Sequence, residues 1–479
     1  MGRSDQIGQF TFFAWVRSLE NQTSRAQMTL LLENVKRLRR SLQRWSSRGI
    51  LVILDQGLIS GSNFVLAILL ARWLAPQQYG SYALAFEIFL FLAALYAALI
   101  LEPMSVFGPS VYSGNLKSYL GGLLRIHCAL SLVVVAVLFA SAAALHAVKP
   151  ASLLPDALVG ISVATPCLLL FWLARRGFYI IFLPQKAVLG ACIYSALLLA
   201  GVALLYEFKS LSPFSAFLLL AVGAIATGPV MLRWLKARLV QAKTDFPIMD
   251  IVRRHWAYGR WAVANSVVIW LSLAIYYPLL GGFFTLAEAG KFKALMNLAS
   301  PIGQTFVAIS LLSLPYASRA YHHEGDAVAS HLVWRLTLLY LGGTCLYWVV
   351  LLLFRGPIVH HLYGGRYMQV IKLLPWVALG SALRISATSQ TLALKAMRSP
   401  ARAFVAYSAA CVVAISVGIP CSRWFGLRGA LFAWVLSSAA VLVGAVLMQR
   451  RKSSQSKVPE EVTSCALAMQ EEAFPSTRG

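Results

Sequence analysis

Residues 61–84 read GSNFVLAILLARWLAPQQYGSYAL, an apolar run, a short polar break and the start of a second apolar run. The first run extends back to residue 50 and the second continues to residue 101. Each run is therefore long enough to cross a bilayer, which takes a helix of about 20 residues. Two such runs in succession predict a pair of antiparallel membrane-spanning helices.

The composition of the whole chain predicts that this hairpin is part of a polytopic membrane protein. Of the 479 residues, 59% are hydrophobic and only 12% are charged, whereas soluble proteins carry about 25% charged residues. Water-soluble globular, disordered and fibrous proteins are thereby excluded. Because lipid permits only helices or closed barrels, we expect an all-α bundle of about twelve transmembrane helices. The predicted spans lie near residues 50–72, 79–101, 119–147, 153–174, 187–206, 213–235, 258–283, 291–314, 332–354, 369–394, 401–421 and 427–449.

The positive charges predict the orientation of these spans. With the N-terminus in the cytoplasm, 31 of the 42 Lys and Arg fall in or beside inside segments, 10 fall outside, and Arg384 alone lies mid-span. This bias predicts a multi-pass protein with both termini cytoplasmic. The formal charge of +25 is accounted for by basic loops, so no nucleic-acid partner is expected. The seven Cys contain no CxxC pair, which favours structural thiols over a metal site.

A long-period repeat predicts the domain organisation. Residues 78–83 align with 288–293 at an offset of 210, and residues 184–187 align with 400–403 at an offset of 216. Two six-helix bundles related by a parallel repeat are therefore expected, a plan that transporters often use. The expected parts are a basic cytoplasmic N-terminal segment at 1–48 that is amphipathic at 28–45, a first bundle at 49–235, a cytoplasmic linker at 236–257, a second bundle at 258–449 and a disordered cytoplasmic tail at 450–479.

The hairpin of Gly61 to Leu84 resembles the opening of the Wzx-type polysaccharide-biosynthesis flippases, members of the multidrug/oligosaccharidyl-lipid/polysaccharide superfamily. Weaker resemblances follow at TLAEAGKFKALMNLASPIG (285–303), LYGGRY (362–367) and FGLRGALFAWVLSSAAVLV (425–443). The resemblance implies a MATE-like fold and a flippase. Such a protein carries an undecaprenyl-diphosphate-linked oligosaccharide across the bacterial inner membrane, for exopolysaccharide, O-antigen or capsule synthesis.

Polar side chains at helical spacing fit the wet, cationic cavity that this substrate would need. Ser381, Arg384 and Thr388 share one face of the tenth span, and similar stripes run along the first, seventh and eighth spans. The predicted cationic residues are Arg384, Lys293, Lys291, Arg125 and Arg72. The predicted lining residues are Asn63, Asn265, Asn297, Gln304, Ser381 and Thr388.

Each of these assignments has an alternative. Arg384 needs either a water-filled cavity or a buried acid, because a mid-bilayer Arg costs roughly 2.5–3.5 kcal/mol. Lys291 and Lys293 could extend outward to the membrane surface, and the polar lining residues could join helices to one another. Two acids, Glu87 and Asp55, lie well inside spans. They could couple transport to H⁺ or Na⁺, or form static ion pairs, such as Glu87 with an Arg near the outer surface.

No catalytic constellation is predicted, and we expect neither a bound cofactor nor a metal. The chain has no P-loop or other Gly-rich phosphate cradle, so ATP hydrolysis is not the expected driving force. Two rivals to the flippase stay open. One is a cation-coupled multidrug exporter of the same fold, and the other is a membrane glycosyltransferase or polysaccharide polymerase. The partners expected for a flippase are the lipid-linked oligosaccharide, membrane lipids, H⁺ or Na⁺, and polymerase or chain-length proteins.

Overall fold

The computed structural model describes residues 51–236, 247–319, 321, 326–397 and 399–455. The predicted amphipathic helix at 28–45 lies outside the described residues, as do residues 237–246 of the predicted linker and most of the predicted tail. The described residues from Leu58 onward form one compact unit, and every contact discussed below lies within it.

The described chain is helical almost throughout and contains no strand. Its helices are α1 (Leu51–Trp73), α2 (Pro76–Tyr96), α3 (Glu102–Ser110), α4 (Leu116–Val148), α5 (Leu154–Ile180), α6 (Pro184–Glu207), α7 (Pro213–Lys236), α8 (Ile248–Ala274), α9 (Tyr276–Phe283), α10 (Leu286–Arg319), α11 (Asp326–Leu353), α12 (Arg355–Tyr363), α13 (Leu374–Ala396), α14 (Pro400–Ser416) and α15 (Gly418–Gln455).

Each of the twelve predicted spans is occupied by helix. Within the described chain, nine helical segments are long and apolar enough to cross a membrane, and the bent pair of α8 and α9 makes a tenth. The remaining two predicted spans correspond to α10, which carries a polar stripe, and to α14, which has 17 residues. The prediction of an all-α polytopic membrane protein is confirmed.

Proline and serine residues set the starts of several helices. Pro76, Pro184 and Pro213 each stand in the first helical position, where the missing N–H of proline costs nothing. Ser212 and Ser215 form a reciprocal cap on α7, in which each backbone N–H donates to the other hydroxyl, at 2.8 and 3.1 Å. These local signals end one span and start the next in the observed positions.

Two of the described spans are broken beside a proline. A π-turn at Ala97–Leu101 joins α2 to α3, just before Pro103. A bend of 48° separates α8 from α9, and Pro278 follows it within α9. A proline at this position weakens the helix because it has no backbone N–H to donate.

The second helix lies at the centre of the described structure. It packs against α10 and α8 of the second half of the chain and against α5 of the first half. Its buried rings extend this packing, as in the stacked contact of Tyr82 with Phe217, whose centroids are 4.8 Å apart. We call the side on which α2 and α10 begin the outer side, after the predicted orientation, and the opposite side the inner side.

Candidate functional site

The helices α2 and α10 cross at two glycines on the outer side. A β-carbon on Gly80 would overlap the carbonyl oxygen of Leu286, and a β-carbon on Gly290 would lie 2.9 Å from the carbonyl oxygen of Pro76. The backbones therefore touch directly, and no side chain fits between them at this point. Gly80 and Gly290 are also paired by the repeat alignment, as are Pro76 and Leu286, so the contact is reciprocal.

One to two helical turns inward from this crossing, an ion pair joins the same two helices. Lys293 Nζ on α10 donates to Glu87 Oε1 on α2 at 2.7 Å, and both side chains are largely shielded, with 12% and 9% exposed. The ammonium group also lies 5.3 Å from the ring centroid of Phe86 and 5.5 Å from that of Tyr277. Tyr277 also lies close enough to Glu87 to interact with it electrostatically. This ion pair, unlike the Lys–Glu and Arg–Asp pairs within single helices described below, connects the two halves of the chain.

Two arginines add further contacts at the outer ends of the helices. Arg72 Nη1, in the last turn of α1, donates to the carbonyl oxygen of His361 at 2.9 Å. In return, Arg366 Nη1 donates to the carbonyl oxygen of Leu74. Cations near helix C-termini are favourable because carbonyls there lack intrahelical donors. The contact requires α12 to end abruptly, which it does at Gly364 in the left-handed conformation, with φ 61°.

A buried hydrogen bond also joins α2 and α10 near the outer side. Asn297 Nδ2 on α10 donates to the hydroxyl of Tyr79 on α2 at 2.8 Å. Close by, the hydroxyl of Tyr363 donates to the carbonyl oxygen of Ala294 at 2.7 Å. Burial raises the pKa of Tyr363, so its hydroxyl keeps its proton and remains a donor. The α2–α10 interface is thus packed and hydrogen-bonded over its outer half.

Arg384 occupies a different environment, on α13. Its Nη1 is shielded from solvent and has no hydrogen-bond partner. Its guanidinium carbon lies 5.3 Å from the ring centroid of Tyr407, and Tyr276 lies close enough to interact electrostatically. Ser381, one turn earlier on the same face, is 4% exposed, and its hydroxyl also has no partner. Among the described residues, no carboxylate forms an ion pair with Arg384.

The contacts of Glu87 correct the expected identity of its partner, which was an arginine near the outer surface. Glu87 does form a static pair in this conformation, but its partner is Lys293. The sequence could not distinguish the candidates because Lys293 was expected to lie near the outer membrane surface. The helix α10 begins five residues earlier than the predicted span, at Leu286, which places Lys293 more than a turn deeper than expected.

The other predicted site residues are spread over several environments. Lys291 pairs with Glu288 of its own helix at 2.6 Å, and Thr388 donates to the carbonyl oxygen of Arg384 at 3.1 Å. Asp55 is buried. Arg125 and Gln304 are exposed, whereas Asn63 and Asn265 are partly buried. The structure thus brings Glu87, Lys293 and Asn297 together at one interface and leaves Arg384 and Ser381 at another.

On the inner side, α8 packs on the π-turn of α2 through a histidine that sequence reasoning did not assign. In an α-helix the carbonyl of Leu99 would accept from residue 103, but Pro103 has no N–H. His255 Nδ1 lies 2.8 Å from this carbonyl oxygen, to which it donates. Its Nε2 accepts from the hydroxyl of Tyr119 at 2.7 Å. In the sequence, Pro103 after the apolar run that ends at Leu101 was the feature that could have indicated a carbonyl in need of a side-chain donor.

The same two helices also touch near the middle of the membrane. Trp270 Nε1 on α8 donates to the carbonyl oxygen of Glu87 at 3.1 Å, and its ring packs against Phe91 with centroids 4.8 Å apart. By contrast, the inner half of α10 has exposed residues at Ser300, Gln304 and Thr305. Contacts between α2 and α8 thus occur both near the inner side and near the middle of these helices.

No protein-family model matches the chain, and no curated protein matches it in sequence. Solved structures do match. One described as the inward-facing conformation of a multidrug resistance MATE family transporter of the MOP superfamily is 12% identical, with a TM-score of 0.71 over 84% of this chain and 96% of that one. The chain has the fold of MATE transporters.

Two further structures support the MATE fold. One is described as an outward-facing multidrug resistance MATE transporter and is 12% identical, with a TM-score of 0.61 over 86% of this chain and 95% of that one. The other, a MOP superfamily transporter from Pyrococcus furiosus, is 14% identical, with a TM-score of 0.62 over 86% and 95%. Its description says that the reverse polarity of its binding pocket suggests a different function.

The matching structures named above are described as transporters. Within the residues that the structure describes, no group of three or more His, Cys, Asp or Glu side chains could hold a metal ion. Among the predicted site residues that the structure describes, Arg384 and Ser381 each have a buried donor atom without a hydrogen-bond partner.

Proposed function

We propose that this protein is a flippase for a lipid-linked oligosaccharide whose carrier is a polyprenyl diphosphate, such as undecaprenyl diphosphate. It would work by alternating access in the bacterial inner membrane, with both termini in the cytoplasm. The proposal rests on Arg384. A guanidinium can donate hydrogen bonds but cannot accept them, so a ligand that satisfies the buried Nη1 has to supply an acceptor.

An anion suits this position better than a neutral acceptor. An arginine inside a membrane span is costly unless water or a charge compensates it, and no described carboxylate does so. Phosphate oxygens match the planar donor fork of arginine and bind it through two hydrogen bonds. Ser381, one turn away on the same face, adds a second unpartnered hydroxyl. A diphosphate head group would satisfy both side chains.

The conformation also fits a carrier that is ready to receive its substrate from the inner side. The outer side is closed by the glycine crossing and the Glu87–Lys293 pair, while residues on the inner half of α10 are exposed. The TM-score is higher against the inward-facing structure, 0.71, than against the outward-facing one, 0.61. A head group made in the cytoplasm would then reach Arg384 from that side.

A multidrug exporter of the same fold is the second candidate, and the descriptions of two matching structures favour it. Such exporters would need acidic groups to hold cationic drugs. Here the carboxylate of Glu87 is already neutralised by Lys293, which weighs toward an anionic substrate. A membrane glycosyltransferase or polymerase finds no support in the transporter fold.

A flipping assay in proteoliposomes separates the two transporters. The purified protein is reconstituted with a fluorescent short-chain prenyl-diphosphate sugar, and the fraction reached by an added membrane-impermeant quencher is followed; uptake of the cationic dye ethidium is measured in parallel. We expect the diphosphate lipid to be flipped by the wild-type protein and not by Arg384→Ala. Transport of ethidium alone would support the drug exporter.

The matching experiment in cells uses a deletion of the gene. Export of the polymer should stop while lipid-linked repeat units accumulate on the inner leaflet, because synthesis of the unit does not depend on this protein. A deletion strain that lacks one glycosyl-transfer step in vitro would instead support the enzyme.

A further inference from the structure

The Glu87–Lys293 pair joins α2 to α10, two helices that have to separate on the outer side if the protein works by alternating access. Lys293 lies three residues beyond Gly290 on α10, and Glu87 lies seven residues beyond Gly80 on α2. When the outer side opens, the crossing glycines have to separate and the ion pair has to break with them. Breaking a largely buried pair leaves two charges to be compensated, which is costly.

The pair is also connected to the surroundings of Arg384 through two consecutive tyrosines. The ring of Tyr277 lies 5.5 Å from the ammonium group of Lys293, and Tyr277 also interacts electrostatically with Glu87. Its neighbour Tyr276 interacts with Arg384. Consecutive Cα atoms are only about 3.8 Å apart, and these two residues begin α9, immediately after the bend. Two consecutive residues at the start of α9 therefore interact with the two cations, Tyr277 with Lys293 and Tyr276 with Arg384.

We propose that the anionic head group takes the place of Glu87 as the partner of Lys293, so that binding of the substrate opens the outer side. This inference rests on the proposed function, since it takes a diphosphate as the ligand of Arg384. The head group that Arg384 binds supplies the anion that Lys293 takes when the outer side opens. Glu87, released from α10, remains ionised and becomes hydrated as the outer side admits water.

The exchange gives the substrate a preference for one conformation. A ligand shifts a conformational equilibrium only by the difference between its affinities for the two states. With the outer side closed, Lys293 is held by Glu87 and is not available to a phosphate. With the outer side open, it is available, so the diphosphate binds the open state more tightly. Without substrate, Lys293 returns to Glu87 and the outer side closes.

Hydrogen–deuterium exchange of the purified full-length protein tests this. The amides of residues 77–84 and 286–294, in the outer turns of α2 and α10, report the closure. We expect farnesyl diphosphate to speed their exchange about fivefold or more, at the lower end of typical coupling between sites. Farnesol, which has the same tail without the anion, should leave the exchange unchanged.

Four variants locate the effect. Lys293→Gln should bind farnesyl diphosphate through Arg384 but lose the acceleration, and Lys293→Arg should keep most of it, which guards against loss by misfolding. Arg254→Gln is the matched control, because it breaks an ion pair with Asp250 that lies within α8 alone. It should respond as the wild type does. Glu87→Gln and Lys293→Gln both break the ion pair, so both should show fast exchange without any ligand.

The outcomes distinguish this inference from the function on which it rests. Binding of farnesyl diphosphate without faster exchange would overturn the exchange of partners and leave the flippase intact. A wild-type response in Lys293→Gln would do the same. Failure of the wild-type protein to bind the diphosphate at all would remove the proposed function and this inference together.

Discussion

Gly80 and Gly290 touch through their backbones where α2 crosses α10, and they are the two residues that the 210-residue repeat aligns. Each glycine faces the carbonyl of the residue four positions before the other, namely Leu286 and Pro76. Such reciprocity is typical of contacts across a two-fold axis. The repeated glycine therefore has a direct physical role, which is to let two backbones meet.

Substitution of either crossing glycine should force α2 and α10 apart. Gly80→Ala places a methyl group on a carbonyl oxygen, which cannot move aside as a side chain could. We expect a loss of about 1–3 kcal/mol of stability, measured as a lower midpoint of thermal unfolding in detergent. Gly303→Ala is the control on the same helix, because nothing lies within 4 Å of its β-carbon position. Equal midpoints for the two variants would contradict a tight crossing.

Charge reversal should distinguish the Glu87–Lys293 pair from two independent charges. Glu87→Lys and Lys293→Glu alone each place like charges together, and each should lower stability by several kcal/mol, since removing one partner of a buried pair costs about 3–5 kcal/mol. The double variant restores an ion pair and should recover most of the loss. Measurements of membrane abundance and unfolding midpoint for all four proteins complete the cycle. Simple additivity would show that the two charges are not coupled.

Arg384 variants test the anion site directly. Arg384→Ala should reduce the affinity for farnesyl diphosphate at least about tenfold, because charged hydrogen bonds contribute about 1.5–3 kcal/mol. Arg384→Lys keeps the charge but loses the planar fork, so its affinity should be intermediate. Calorimetric titration of purified proteins measures both. Unchanged binding by a well-folded Arg384→Ala protein would end the assignment of this residue to the head group.

The contact between His255 and Leu99 predicts non-additivity with Pro103. His255→Phe leaves the buried carbonyl of Leu99 without its donor, at a cost of about 1–3 kcal/mol. Pro103→Ala supplies a backbone N–H that can reach this carbonyl, so His255→Phe should cost less in that background. Unfolding midpoints of the two single variants and the double variant provide the test. An equal cost in both backgrounds would show that the proline does not create the need for the histidine.

The charge bias predicts that both termini and the segment around Lys243 are cytoplasmic. Reporter fusions at the C-terminus and after Lys243 should both give the cytoplasmic signal, and a fusion at Lys209, in the turn between α6 and α7, should give the opposite one. A fusion after Lys243 that reports the outer compartment would reverse the inner and outer sides used throughout.

The fold was accessible from the sequence because lipid leaves so few alternatives. Runs of apolar residues located every span, and prolines such as Pro213 and Pro278 marked where helices start or bend. The repeat alignment even paired Gly80 with Gly290. What it could not provide was their contact, because an alignment states that two positions are equivalent and gives no distance between them.

The site was less accessible because it depends on the packing of distant helices. Arg384 was identified from its cost in lipid, which needs no partner to be known. Whether Lys293 extends outward or pairs inward depends on the position of Glu87, 206 residues earlier in the chain. His255 was missed because its role is to donate to the carbonyl of Leu99, which Pro103 leaves without a backbone donor. Such a pairing becomes visible only when α8 and α2 are placed side by side.

The π-turn of α2 has a consequence for how the two halves of the chain can part. Its carbonyl at Leu99 ties α8 to α2 at one face of the membrane, and Trp270 ties the same helices near the middle. These two contacts hold α2 and α8 together at two depths. The two halves of the chain can therefore separate only on the opposite side of the structure, along α10. A molecule with a long hydrocarbon tail would enter sideways through that side, keeping its tail among the lipids while only its head travels.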